Sequence, residues 1–199
     1  TILRANQNCR KGIIYGVNYG KLGFLAETMP ENAIEGIERI LRGDYIIDER
    51  ALISVKLNNK MLPEGLNEVV VHTAGVAKIR DYQIKIDNYS YERFRGDGVI
   101  IATPKGSTSY SMSAGGPLID PRAEVFVIVP IAPFKLTFRP IVVPDYAEIR
   151  VRGTDGKENL VAIDGQYETM LRAGEEIFIY KAERKARFVR FDDDFYKKF

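Results

Sequence analysis

At 199 residues and 45% hydrophobic, the chain suits one large domain or two small ones, and its composition is not that of a disordered segment. Its 29 Lys and Arg nearly balance its 27 Asp and Glu, so it lacks the concentrated basic excess of a nucleic-acid surface. The most apolar stretch, residues 125–134, holds two prolines and is too short for a membrane span, and the lone Cys9 can form no internal disulfide, which fits a reducing cytoplasm.

In chain order, residues 12–25 read as a strand, a turn and a glycine-spaced apolar piece. Thr28-Met29-Pro30-Glu31 has the form of a capping box, with Thr28 as the cap and Glu31 reaching back. A helix should follow, with Ile34, Ile37, Ile40 and Leu41 on one face and Gly43 as its stop. From Ala51 the period changes to two: Ile53, Val55 and Leu57 alternate, and so do Ile79, Ile84 with Tyr82 flanking it, and Ile86. Val69-Val70-Val71 is a denser run of the buried-strand kind. Further strands are expected at 99–102, 125–129, 149–151, 160–163, 177–180 and 188–191. Turns fall at Asp87-Asn88, Thr154-Asp155-Gly156 and Asp164-Gly165. The bulk therefore reads as a β-rich domain of two packed sheets. Residues 192–199 run from acidic to basic, as a short helix with a complemented dipole would.

The most informative stretch is 95–121. An Arg95-Gly96-Asp97-Gly98 turn precedes the apolar run 99–102. After it come six Ser or Thr in eleven positions (Thr103, Ser107, Thr108, Ser109, Ser111, Ser113), with Tyr110 among them, then Gly115-Gly116-Pro117. Such clusters are often plain loops. Here Asp97 is held between two glycines at a strand entrance, and the Tyr110 ring stands among small residues, open to stacking. If the segment opens a helix, Ser109 and Ser113 share a face, as do Ser107 and Ser111. Glycines that admit close backbone approach, beside hydroxyls and free N–H groups, suit a ligand rich in oxygen.

These residues closely resemble the NAD kinase family. The matching pieces are 95–98, 103–110 and 113–117, then Pro130-Ile131-Ala132-Pro133 and Leu136-Thr137-Phe138-Arg139-Pro140. Gly16-Val17-Asn18, Gly20-Lys21-Leu22-Gly23-Phe24-Leu25, Asn67-Glu68 and Asp164-Gly165-Gln166 follow the family's order as well, so the resemblance spans essentially the whole chain. It implies an α+β, two-domain protein. Residues 1–48 would be the remnant of an N-terminal α/β Rossmann-like domain, with 185–199 packing back on it. Residues 49–184 would be a larger all-β, two-sheet domain that binds NAD. The implied activity is transfer of the terminal phosphoryl group of ATP or polyphosphate to the 2′-hydroxyl of the adenosine ribose of NAD, with Mg²⁺ or another divalent metal on the phosphates. A homodimer or homotetramer in the cytoplasm is implied too. The family also has a Gly-Gly-Asp-Gly loop whose aspartate serves as general base. Thr1-Ile2-Leu3-Arg4-Ala5 looks like the residues just after it, so no catalytic residue is expected within 1–199.

The resemblance assigns NAD contacts to Arg4, Phe24, Asn67, Glu68, Lys78, Arg95, Asp97, Thr108, Ser109, Tyr110, Ser113, Ala132 and Gln166. Asn67 and Glu68 either lend polarity to a strand entrance or bind ribose hydroxyls and the purine amine. Asp97 satisfies a turn or faces the nicotinamide end, with Thr108, Tyr110 and Ser113 lining the same cleft and Ser109 contributing mainly backbone. Arg95 is an ion-pair partner or a charge near the pyrophosphate. Gln166 reaches the ligand or holds its turn. Lys78 is either the family's basic position or an ordinary exposed lysine, Arg4 is a candidate phosphate contact, Ala132 offers backbone only, and Phe24 packs the pocket wall. Lys105 interrupts the hydroxyl run where many relatives carry Thr or a small residue. His72, the only histidine, would have to serve any serine hydrolase, and it sits on an apolar strand. No Cys/His cluster suggests zinc, and no P-loop is present. The rival readings are a lipid kinase of the diacylglycerol or sphingosine type and a non-catalytic NAD(P)-binding protein.

Overall fold

The two-residue period that starts at Ala51 builds two sheets. In a computed structural model, which describes residues 2–20, 25–75, 78–135 and 137–192, the chain divides into two units, Thr1–Arg50 with Lys185–Phe199, and Ala51–Arg184. The strands are β1 (Ile46–Leu57), β2 (Lys60–Met61), β3 (Glu68–Thr73), β4 (Arg80–Ile86), β5 (Tyr89–Gly96), β6 (Gly98–Ala102), β7 (Val125–Ile131), β8 (Ile141–Pro144), β9 (Ile149–Gly153), β10 (Asn159–Ile163), β11 (Tyr167–Leu171) and β12 (Ile177–Arg190). The helices are α1 (Ile2–Asn8), α2 (Ala33–Leu41) and the single turn α3 (Tyr110–Ser113). β1 and β12 each run from one unit into the other.

One sheet has the order β2-β1-β12-β9-β4-β5 and the other β11-β10-β3-β6-β7-β8. Inward side chains meet between them, including Ile53 and Val55 from β1, Tyr82 and Ile84 from β4, Val69 and Val71 from β3, and Phe126 and Ile128 from β7. Phe94 and Phe138 stack in this core at 4.4 Å. β6 is buried along its whole length, because a second apolar layer (Val70, Ile100, Ala102, Val127, Val129) covers its other side, with Ala114 packed on it. This is why Val99–Ala102 is apolar without alternation. The α+β class with a two-sheet β domain is thus as expected.

Several local expectations fail. Thr28 caps no helix. Its hydroxyl shares a 2.6 Å hydrogen bond with Tyr15, and a 3-10 turn, Pro30–Asn32, leads into α2. The side chain before that turn, Met29, makes no capping bond. α2 has the expected apolar stripe, yet Ile34 and Leu41 are 74% and 82% exposed. Gly43 does stop α2: at φ 78° its N–H donates to Ile40 O while Asp44 N–H donates to Arg39 O, a Schellman pattern. Residues 12–20 form no strand, only isolated bridges from Ile14 to Phe188 and Val17 to Thr28. The expected strands at 177–180 and 188–191 are one strand, β12. β2, β5, β8 and β11 were not expected. The helix anticipated over 192–199 lies outside the described residues.

Candidate functional site

Glu68 opens β3, with Asn67 just before it. β3 pairs antiparallel with β6, Glu68 opposite Ala102 and His72 opposite Gly98. The segment leaving β6 folds back over the start of β3. Thr103 N–H donates to Asn67 O (2.9 Å), and the Thr103 hydroxyl donates to Leu66 O (2.7 Å). The chain then makes a 3-10 turn, Lys105–Thr108, so close to Asn67 that a Cβ on Gly106 would be driven into the Asn67 carbonyl. Only glycine fits there.

The hydroxyl run is no continuous helix. Ser109, at φ −106° and ψ −134°, separates the 3-10 turn from α3, so the two serine pairs share no helical face. The break sends the Ser109 hydroxyl to Glu68 Oε1, which accepts at 3.3 Å. The Ser109 side chain is thus turned to Glu68. The Tyr110 N–H also favours the charged form of Glu68, as does the nearby Lys105 ammonium. Burial outweighs both and, with repulsion from Asp164, pushes the Glu68 carboxyl up to about 7. Asn67 and Glu68 are 9% and 6% exposed, and among the described residues neither Asn67 Oδ1 nor Glu68 Oε2 has a hydrogen-bond partner. Tyr110 is 40% exposed beside them.

On the opposite side of this segment stands Asp164. Asp164 and Gly165 adopt φ 52° and 60°, and Gln166 N–H donates to Ile163 O, which makes a tight hairpin between β10 and β11. The turn aims the Asp164 carboxylate at three consecutive N–H groups: Leu66 (2.8 Å), Asn67 (2.7 Å) and Glu68 (3.1 Å). Burial raises the Asp164 carboxyl from its ordinary value, against those three donors. Sequence reasoning saw a turn here and missed what its carboxylate does. A left-handed Asp-Gly turn abutting a polar strand entrance was the available signal. The Gln166 amide donates to Gly165 O at 3.2 Å and so helps to hold this turn.

The remaining candidates lie elsewhere in the structure. Asp97, Arg95 and Ala132 gather at the far end of β3 and β6, with Asp97 five residues or about 17 Å along the strands from the level of Glu68. There Thr73 N–H and the Tyr82 hydroxyl donate to Asp97 O, and Asp97 N–H donates to Ile131 O. Ala132 stands at φ 43° directly before Pro133, a backbone state that alanine rarely adopts. Arg95 pairs with Asp81 at 3.1 Å, and both line a cavity of about 340 Å³ with Phe94, Phe134 and Phe138. None of the residues around Glu68 lines it. Lys78 is exposed in the connection from β3 to β4, and Ser113 is exposed at the end of α3. The Thr108 hydroxyl donates to Lys105 O and accepts from Lys105 Nζ. Arg4 lies on α1, in the other unit, and Phe24 lies outside the described residues. The His72 ring bonds the Thr73 carbonyl at 2.7 Å and no serine. Among the described residues no cluster of His, Cys, Asp or Glu suits a metal ion, and no helix is long and apolar enough to cross a membrane.

The profile of the ATP-NAD kinase C-terminal domain matches residues 66–191. A curated NAD kinase of Methanothermobacter thermautotrophicus is 50% identical over 93% of this chain, which spans 65% of that protein's length. An NAD kinase of Thermococcus sibiricus is 44% identical over the whole chain, which spans 72% of it. Among solved structures, yeast NADH kinase complexed with NADH superposes with a TM-score of 0.91 at 25% identity, over 99% of this chain and 60% of that one. An Archaeoglobus fulgidus NAD kinase in complex with ATP gives 0.85 at 33%, over 98% and 74%. With the profile covering the whole of the strand framework from β3 to β12, the chain belongs to the NAD kinase family.

Proposed function

We propose that this chain carries the dinucleotide-binding part of an enzyme that transfers the terminal phosphoryl group of ATP to the 2′-hydroxyl of the adenosine ribose of NAD, giving NADP. One observation carries the reading: Asn67 Oδ1 and Glu68 Oε2 are buried side by side in sequence with no hydrogen-bond partner among the described residues. A buried polar atom left unpaired costs about 1–3 kcal/mol, so a ligand that brings donors and acceptors to both is favoured. Ribose hydroxyls and the adenine amine do so. With its carboxyl titrating near 7, Glu68 can accept from one hydroxyl or donate to it near neutrality. The half-exposed Tyr110 ring offers a face to the base. The groups that face Glu68 are a hydroxyl, a main-chain N–H, a lysine and a second carboxylate, which suits a hydroxylated ligand over an acyl chain.

Phosphoryl transfer asks mainly for positioning and charge neutralisation. Fixing the acceptor ribose beside the donor is worth up to about 7–11 kcal/mol. Mg²⁺ in such sites is held by the nucleotide phosphates with one or two carboxylates. The described residues offer no protein cage for it. Asp97, whose half-buried carboxylate has no hydrogen-bond partner among the described residues, and the strained Ala132 are our candidates for the nicotinamide half.

The test is NADP formation from NAD and ATP by the full-length protein, followed by chromatography. Asn67→Ala and Glu68→Ala are expected to raise KM for NAD at least tenfold while leaving KM for ATP in place. Wild-type protein that makes no NADP, or variants with an unchanged KM for NAD, would sink the proposal.

A further inference from the structure

We infer that Asp164 is a positioning residue for dinucleotide recognition, fixing the main chain of residues 66–68 so that the Asn67 and Glu68 side chains meet the ligand in a single geometry. This deepens the function just proposed and rests on it. The Asp164 carboxylate takes the N–H groups of Leu66, Asn67 and Glu68. Its own N–H returns a bond to Glu68 O at 3.0 Å. Thr103 takes the two remaining carbonyls, Leu66 O through its hydroxyl and Asn67 O through its N–H. All six main-chain groups of the segment are thus satisfied from within. Only the side chains of Asn67 and Glu68 are left to address a ligand, and their Cα positions are set from both sides.

A carboxylate is required for this. Its two oxygens serve three donors, whereas the amide of asparagine has one oxygen and would turn its NH₂ toward an N–H group. The left-handed backbone of Asp164 and Gly165 delivers those oxygens. A Cβ at Gly165 meets no atom within 4 Å, so Gly165→Ala strains the turn through φ alone and keeps the carboxylate.

The experiment compares Asp164→Asn, Asp164→Glu and Gly165→Ala in the full-length enzyme. It measures KM for NAD and for ATP, melting temperature, and amide hydrogen exchange of residues 66–68. Asp164→Asn is expected to raise KM for NAD at least tenfold with KM for ATP within twofold. Exchange of the three amides should accelerate at least tenfold. Gly165→Ala, which strains the turn that aims the carboxylate, is expected to lower the melting temperature and to raise KM for NAD by less than Asp164→Asn does, and Asp164→Glu to restore part of the exchange protection. An Asp164→Asn enzyme with wild-type KM and exchange overturns the inference. So does an Asp164→Asn enzyme whose three amides exchange faster while its KM for NAD stays at the wild-type value. If Asp164→Asn does not fold, Asp164→Glu decides by the same readouts. A wild-type protein that binds no NAD fails the functional reading. The exchange measurement still reports, separately, whether Asp164 holds the segment.

Discussion

The Ser109 hydroxyl donates to Glu68 Oε1 at 3.3 Å, while the second oxygen of that carboxyl is buried without a hydrogen-bond partner among the described residues. One oxygen is anchored and the other is left for a ligand. Removing the anchor in Ser109→Ala forfeits one hydrogen bond, about 1 kcal/mol. KM for NAD should rise by about fivefold, with little change in melting temperature. Steady-state kinetics and a thermal melt check both halves.

The Glu68 carboxyl also sets a pH dependence. Its folded value, about 7, lies above the ordinary 4.5. The stability it confers is therefore complete below about pH 4.5 and is lost as pH rises toward 7. The groups facing it are the Ser109 hydroxyl, the Tyr110 N–H, Lys105 and Asp164. In Glu68→Gln this part of the slope disappears, and at pH 8 the variant should be more stable than the parent by up to about 3 kcal/mol. Urea titrations at pH 5 and pH 8 measure the difference, and equal slopes in both proteins would refute it.

Gly106 lies against the Asn67 main chain, with no space for a methyl group. Gly106→Ala should cost about 2 kcal/mol or more, because the neighbour that must yield is backbone. NAD binding should weaken beyond that, since Asn67 is displaced. Calorimetry of unfolding and of NAD binding separates the two effects.

In the smaller unit, Arg190 donates to Glu27 Oε2 at 2.9 Å and to Asp48 Oδ2 at 3.1 Å, while Phe191 N–H donates to Glu27 Oε1. The Arg190 and Glu27 side chains are nearly buried. Glu27→Ala leaves a buried charge short of a partner and an N–H unpaired, at a cost of about 3–5 kcal/mol. The urea midpoint should fall with an unchanged slope.

The strands legible in the sequence are those enclosed on one or both faces by the sheets: β1, β3, β4, β6, β7, β9, β10 and β12. The four that were not, β2, β5, β8 and β11, are the four sheet edges. An edge strand such as Tyr89–Gly96 carries Ser90, Glu92, Arg93 and Arg95, so its apolar period is diluted by the charges that protect an edge. Asn67, Glu68, Ser109 and Tyr110 were legible as chemistry because polar residues flank apolar runs. Their division from Asp97 and Ala132 was not. Antiparallel pairing decides which end of a strand a residue joins, and no local spacing encodes that. Nothing in the sequence between β3 and β6 gave a hint that the two strands would be neighbours.

Three successive amides pointing into one concavity make the kind of nest that holds a free phosphate in many proteins. Here the fold supplies its own anion, Asp164, as permanent occupant. A phosphate arriving at this end of the β domain meets a filled seat and a like charge. At the entrance of β3 the main-chain donors are thereby spent on the protein's own carboxylate, and any positive charge offered there comes from a side chain, Lys105.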